Sequence, residues 1–336
     1  MKDSEKIKSN KKLITIITSS IVGIVFLFFV FTNEKVKDFT ENIINNVVSI
    51  FESNDHLEVI PEDASAVAVI DLLGILQKAD FDKIKESEIF ENFEDLADES
   101  PFDLDEIIED PKLTGIKLNT KFVAFMAGDK DDGIYGGLTF GIKNDKKFSE
   151  FIENLLDDAD VDYDLENEKD YSYVVIDDGG IAWDDDKAII LSADDIDDIE
   201  DKIEELMQLE KDDRITQNDA FNDFYNKKED LSFWISSNMA ENFARRSEIR
   251  EFEKIVGYDI DDIHASLILD FEEDFISVLA EISPNEELQK LIKEYDISQP
   301  FNKEILKYIP KESFLTLSSS FNVSSYYEIL KNSPSY

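Results

Sequence analysis

Apolar and polar positions follow three different patterns along this chain. Residues 13–31, LITIITSSIVGIVFLFFVF, hold nineteen positions without a charge. As a helix at 1.5 Å per residue this run is about 28 Å long, close to the hydrocarbon thickness of a bilayer. Residues 36–51 then place Val36, Phe39, Ile43, Ile44, Val47, Val48 and Phe51 at helical spacing, one apolar stripe on a polar helix. From residue 58 onward, short β-rich runs alternate with helical ones.

In that third region, ASAVAVIDL (64–72) predicts a strand introduced by Pro61. Phe81, Ile84, Ile89, Phe93 and Leu96 predict one or two helices, and DPKLTGIKL a loop. KFVAFMA and IYGGLTFGI predict strands joined at GDKDDG, followed by a helix capped by Asn144 or Asp145. DVDYDL, YSYVVI, GIAW and KAIILSA predict further strands with tight joints. Asp194 to Asp213 reads as an acidic helix burying Ile196, Ile199, Ile203 and Leu206. A short helix near NDAFNDFYNKKE, a strand LSFWIS, one or two helices through NMAENFARRSEIREFEKIVG (238–257), a hairpin around Glu272-Glu273-Asp274 and a helix NEELQKLIKEY complete the reading. Hairpins interrupted by helices predict an α+β fold, an antiparallel or mixed sheet with helices packed on one face, preceded by a transmembrane helix.

The expected organisation is a basic cytoplasmic tail (1–12), a transmembrane signal anchor (13–31), an amphipathic juxtamembrane helix and linker (32–57) and an acidic α+β domain (58–307). Residues 308–336 follow as a strand and helix. The tail carries five lysines against Asp3 and Glu5, which favours a cytoplasmic N-terminus. The apolar run ends FFVFTNEK, with bulky residues where a cleavable signal peptide needs small ones. The helix of 36–51 packs on its own domain, pairs with a second copy, or lies on the membrane surface.

One phrase recurs. VIPEDASAVAVIDLLGIL (59–76) and YIPKESFLTLSSSFNVSSYYEIL (308–330) both run from Ile-Pro through polar residues into a β-rich run and then a helical one. Proline suits a strand entrance, where its missing N–H is harmless. With DPKLTGIKL before KFVAFMA, these phrases resemble a family of Bacteroidetes envelope proteins built on domain of unknown function 4836. The resemblance spans roughly residues 58–330. It implies an exported, envelope-tethered α+β protein made of related halves, and it supplies no catalytic residues. Many members are anchored through a lipidated cysteine, which this chain lacks. The resemblance also implies that the last strand and helix open a second module that is not continued, retained because they close the first one's sheet.

Charge sharpens the picture. There are 78 acidic and 34 basic residues, a net charge of −44, which repels phosphate backbones and argues against a nucleic-acid partner. Cysteine is absent, so thiol chemistry and disulfides are excluded. Two histidines, His56 in the linker and His264 in a strand, are too few for a histidine-rich metal site. Phosphate-binding, dinucleotide-binding and nucleophile-elbow motifs are missing, and no cofactor, metal or catalytic residue is assigned. GDKDDG lacks the spacing of a calcium loop, and the acidic stretch 157–170 reads as a solvated edge.

Arg246, Arg250 and Lys254 run against the overall charge. At i, i+4 and i+8 they line one side of a helix, where like charges need acidic partners. Either acids of the same domain such as Glu241 or Glu248 supply these, or an acidic surface of another molecule does, making the stripe an interaction surface. The expectation is a single-pass envelope protein, its acidic domain periplasmic or extracellular and structural or binding in role, touching the bilayer through residues 13–31 and meeting a protein partner or a second copy. A carboxylate-based hydrolase and a cation-binding stalk are the alternatives.

Overall fold

The computed structural model describes residues 54–78, 111–129, 133–158, 161, 163–176, 179–194, 199–227, 229–243, 247, 249–251, 253, 259–272, 275–294, 303–308 and 322–332. The expected transmembrane run and the β-rich stretch after Tyr308 lie outside these residues. The chain divides into two compact units, Met1–Ile235 with Ser266–Glu281, and Ser236–Ala265 with Ile282–Tyr336.

The first unit is built on strands β1 (Ala66–Ile70), β2 (Phe122–Asp129), β3 (Gly133–Gly141), β4 (Leu165–Asn167), β5 (Ser172–Ile176), β6 (Gly179–Trp183), β7 (Lys187–Asp194) and β8 (Leu231–Ser236). β9 (His264–Phe271) and β10 (Ile276–Ser283) complete a ten-stranded sheet in the order β10-β9-β8-β1-β2-β3-β7-β6-β5-β4. The pairings from β8 across to β4 are antiparallel. The fold is therefore α+β on an antiparallel sheet.

Helices cover both faces of the sheet, not one. In β7 the neighbours Ile189 and Ile190 point to opposite sides, as the two-residue period of a strand requires. On one side, Phe122, Phe140, Trp183 and Ile190 pack against Phe148, Ile152, Leu155 and Leu156 of α2 (Asp145–Asp158). On the other, Val67, Val69, Phe125, Ile189 and Leu191 pack against α3 (Ile199–Met207) and α4 (Asp219–Tyr225). Phe221 of α4 meets Trp234 of β8 edge-on, with ring centroids 5.8 Å apart. The uninterrupted buried apolar run Ala188–Leu191 within KAIILSA is what double coverage demands.

Local chemistry fixes the ends of these elements. Asn144 Oδ1 accepts the Lys147 N–H at 2.9 Å, capping α2 as expected. The β2–β3 hairpin is flanked by Gly128 at φ +81° and Gly133 at φ +94°. A Cβ on Gly128 would lie 2.1 Å from the Gly133 carbonyl oxygen, so glycine is required there. The acidic helix is shorter than its sequence suggests, Ile199–Met207, but buries Ile199, Ile203 and Leu206. β4, Leu165–Asn167, shares only Leu165 with the expected DVDYDL strand (160–165) and lies after the rest of it.

The segment before β1 is part of this unit. Leu57, Val59 and Ile60 are buried, and the Ile215 N–H donates to the Ile60 carbonyl at 2.8 Å. Glu58 accepts from Arg214 (2.8 Å) and Lys187 (3.5 Å), and Lys187 pairs with Asp184 at 2.9 Å. His56 is buried, its backbone carbonyl accepting the Thr139 hydroxyl at 2.8 Å and its Nε2 lying 3.4 Å from the Tyr225 hydroxyl. Burial, and then the nearby Lys117, push its pKa down to about 4.

The second unit contains α5 (Asn238–Phe243), α6 (Glu286–Glu294), a 3-10 turn (Lys303–Tyr308) and α7 (Val323–Asn332). Asn285 caps α6 through its Oδ1, which accepts the Leu288 N–H at 2.9 Å.

A recurrence appears in the order of elements. Among the described residues, and leaving 3-10 turns aside, β1, α1 (Leu72–Lys78), the β2–β3 hairpin and α2 form the series strand, helix, hairpin, helix. β8, α5, the β9–β10 hairpin and α6 form it again. The first strands of the two series pair antiparallel, so the sheet reads β1-β2-β3 in one direction from this pair and β8-β9-β10 in the other. Gly115 stands seven residues before β2, and Gly257 seven before β9. An asparagine caps the closing helix in each series.

Candidate functional site

Opposed charges gather where α1 ends beside the start of β8 and the end of β9. Asp71 follows β1 directly, and its Oδ1 accepts the Gly74 N–H at 2.7 Å, which starts α1. The helix ends at Lys78, whose Nζ donates to Asp230 Oδ2 at 3.0 Å and to Asp270 Oδ1. The Asp230 side chain is only 4% exposed, and its Oδ2 also accepts the Phe271 N–H at 2.7 Å. The hydrogen bond to Asp270 raises the Lys78 pKa, and the same bond lowers that of Asp270. Glu229 is raised, first by burial and then by Asp270.

This cluster brings two carboxylates onto one ammonium, and its chemistry is structural. One ammonium lies between the two carboxylates, where a glycosidase would need free space for substrate or water. Asp270 is held ionised, the opposite of a general acid.

A shallow acidic hollow of about 300 Å³ opens elsewhere in the first unit, lined by Glu168, Asp170, Tyr171, Trp183, Asp184 and Asp185. It brings the end of the 157–170 stretch against the β6–β7 turn. Asp184 is committed there, since it accepts the N–H groups of Asp186 (2.8 Å) and Lys187 (2.9 Å) and pairs with the Lys187 ammonium. In the second unit, carboxylate oxygens of Glu253, Asp259 and Asp261 lie within 4.8 Å of one another. The Asn285 amide donates to the Asp259 and Asp261 carbonyls at 3.0 and 2.8 Å and braces that loop. These groups are on or near the surface, and the arrangement suits a hard cation only loosely.

Of the stripe singled out by sequence, Arg250 is exposed on a helical segment, while Arg246 and Lys254 lie outside the described residues.

The remaining feature is apolar. Phe233 and Ile235 of β8, Leu267 of β9, and Ile276, Val278 and Leu279 of β10 are exposed, as is Phe275 just before β10. Ile276 and Val278 retain 55% and 59% of their accessible surface. Along β10, Ile276 and Val278 share one face and Leu279 lies on the other; the strip that they border is at one end of the described sheet, whose opposite edge, β4, has three residues and is polar on its exposed positions.

A family model described as "Domain of unknown function (DUF4836)" matches residues 56–334. The chain belongs to the DUF4836 family. The match takes in both units and begins at the buried His56, consistent with the segment before β1 being part of the fold. Among solved structures, crystal form I of TP0453 is similar at 10% identity, with a TM-score of 0.36, over 74% of this chain and 89% of that one. No curated protein matches the chain significantly.

Sequence reasoning missed the Lys78 cluster in this DUF4836 chain. Among 78 acidic residues nothing marks Asp230 and Asp270. The one available signal was Asp230 standing directly before an apolar strand, where burial forces a carboxylate to find a partner. The Glu253 cluster was missed for the same reason, since acids in loops are ubiquitous here.

Proposed function

We propose that this DUF4836 protein is a membrane-anchored envelope protein whose acidic domain binds a partner outside the cytoplasm and carries out no chemistry of its own. Residues 13–31 hold the bilayer, with the N-terminus cytoplasmic. The observation that carries the binding role is the exposed apolar strip of β8, β9 and β10 on a chain of net charge −44. Exposed apolar surface grouped in this way marks interaction sites, whereas scattered apolar residues do not. The anchoring reading rests on the uncharged run and its lysine-rich flank. Among the described residues no helix is long and apolar enough to cross a membrane, and residues 13–31 lie outside them.

The hydrolase alternative gains nothing from the Lys78 cluster, where the ammonium neutralises the paired carboxylates. Carbonate extraction and protease protection of intact cells, with tags at both ends of the chain, test the proposal. The full-length protein should stay with membranes, its C-terminal tag cleavable from outside and its N-terminal tag protected. Recovery of the full-length chain in the aqueous fraction would overturn the anchoring.

A further inference from the structure

The chain enters the first unit through a strap, residues 54–62, packed on the side of the sheet that α3 and α4 cover. Asp55–Val59 form a 3-10 turn, and Leu57, Val59 and Ile60 are buried in the core on that side. The strap is not a strand of the sheet. It is held by the Ile215 N–H on the Ile60 carbonyl (2.8 Å), the Glu62 N–H on the Asp213 carbonyl (2.7 Å) and the pairs of Glu58 with Arg214 and Lys187. Just past it, Ser65 is fixed to β2, its N–H and its hydroxyl both donating to the Met126 carbonyl at 2.8 and 3.2 Å. The strap can therefore leave the body without breaking a strand pairing.

A titratable ring lies under this strap. His56 is 1% exposed, its Nε2 3.4 Å from the Tyr225 hydroxyl, which also lies 3.4 Å from Asn54 Oδ1. The Lys121 ammonium sits 5.4 Å from the centre of the Tyr225 ring. Lys117 acts on the imidazole as well, so a proton taken up there would be buried near a cation. Burial, and then Lys117, lower the His56 pKa from 6.5 to about 4, whereas on an open strap it returns to its ordinary value. Between pH 7 and pH 4 this favours the open strap by about a hundredfold. The strap's own acids, Asp55 and Glu58, face Asp186, Lys187 and Arg214. Asp55 works in the opposite sense and offsets part of the gain, since burial and then Asp186 raise its pKa in the closed state.

We infer that residues 54–62 form an acid-released strap: protonation of His56 frees the segment from the body while the sheet stays folded. Outside the cytoplasm the strap meets the pH of the medium. Release adds nine residues to the connection between residues 13–31 and the body, about 30 Å of reach when extended. That lengthened tether rests on the proposed anchoring, whereas the release itself does not.

Hydrogen exchange of the full chain in nanodiscs, followed by mass spectrometry from pH 7 to pH 4 and corrected for intrinsic rates, tests this. Protection across residues 57–62 should fall at least about tenfold by pH 4, while peptides covering β7 keep theirs. Lys117→Met removes the cation near the ring and should move the fall to higher pH. His56→Leu should abolish the fall; wild type and Lys117→Met carry the test should that variant not fold. Strap and β7 losing protection together would overturn the inference, as would unchanged protection down to pH 4 or a midpoint unmoved in Lys117→Met. Extraction decides the anchoring separately, so a released strap on a chain recovered in the aqueous fraction would overturn that reading and leave this one standing.

Discussion

Replacing Lys78 by methionine tests the energetic reasoning most directly. The substitution keeps most of the aliphatic stem and removes the ammonium that lies between Asp230 and Asp270. Asp230 would keep the Phe271 N–H but lose its counter-ion while remaining 4% exposed. Removing one partner of a buried ion pair costs about 3–5 kcal/mol, because the remaining charge is left uncompensated. Two features reduce that here. The Lys78 side chain is 37% exposed, and Asp270 at 22% can recover water. The expected loss is about 2–3 kcal/mol.

Urea denaturation of the full chain in detergent reads this loss, reported by Trp183 and Trp234, both buried. A second substitution separates charge from packing. Asp270→Asn on the Lys78→Met background removes one of the two crowded carboxylates and should restore about 1 kcal/mol, although it destabilises the wild type. Acidity supplies a further check. In the wild type, Lys78 holds the Asp270 pKa low, so its contribution is full above the unfolded carboxylate range and is lost as pH falls through the folded value. Without Lys78 the crowded carboxylates take up a proton more readily in the folded state. The gap between variant and wild type should therefore narrow from pH 7 to pH 5. A Lys78→Met loss under about 0.5 kcal/mol, or a gap independent of pH, would refute the cluster's assigned role.

Three further outcomes are expected. His56 has its folded pKa lowered from 6.5 to about 4, so its contribution is fully present above pH 6.5 and lost as pH falls towards 4. The loss reaches about 3 kcal/mol, and His56→Leu should remove that part of the acid limb in a pH series of urea midpoints. Phe221→Ala should cost about 3–5 kcal/mol and shift the tryptophan emission, since Phe221 is fully buried and packs edge-on against Trp234. Gly128→Ala should cost at least about 2 kcal/mol by thermal melting, because the added Cβ meets backbone at positive φ.

Legibility in the sequence followed the locality of the signal. Asn144 capping α2 and the buried stripe Ile199, Ile203 and Leu206 are set by neighbours within a turn or two, and both were readable. Strands such as β5, β6 and β7 were readable as well, because turn residues such as Asp177-Asp178 and Asp184-Asp185-Asp186 break up the apolar runs, whereas DVDYDL meets β4 only at Leu165. Double coverage of the sheet was misjudged although its sign was present, in KAIILSA, where four consecutive residues from Ala188 to Leu191 are buried. His56 looked like linker because nothing nearby marks it as core. Its burial depends on Thr139 and Tyr225, 83 and 169 residues away.

The same distinction separates what the structure adds from what it shares with the sequence. A repeated phrase is visible in the chain at 308, but the strand–helix–hairpin–helix recurrence beginning at β8 is not, because LSFWIS and AVAVI share no motif. Only pairing reveals it: β1 and β8 lie antiparallel, and the elements that follow each extend the sheet in opposite directions. That order gives the exposed strip its meaning. Ile276 and Val278 in isolation would be surface apolar residues needing no explanation. On the strand that matches β3 in the recurrence, they sit at the end of the order of the described strands, where β3 instead has β7 beside it.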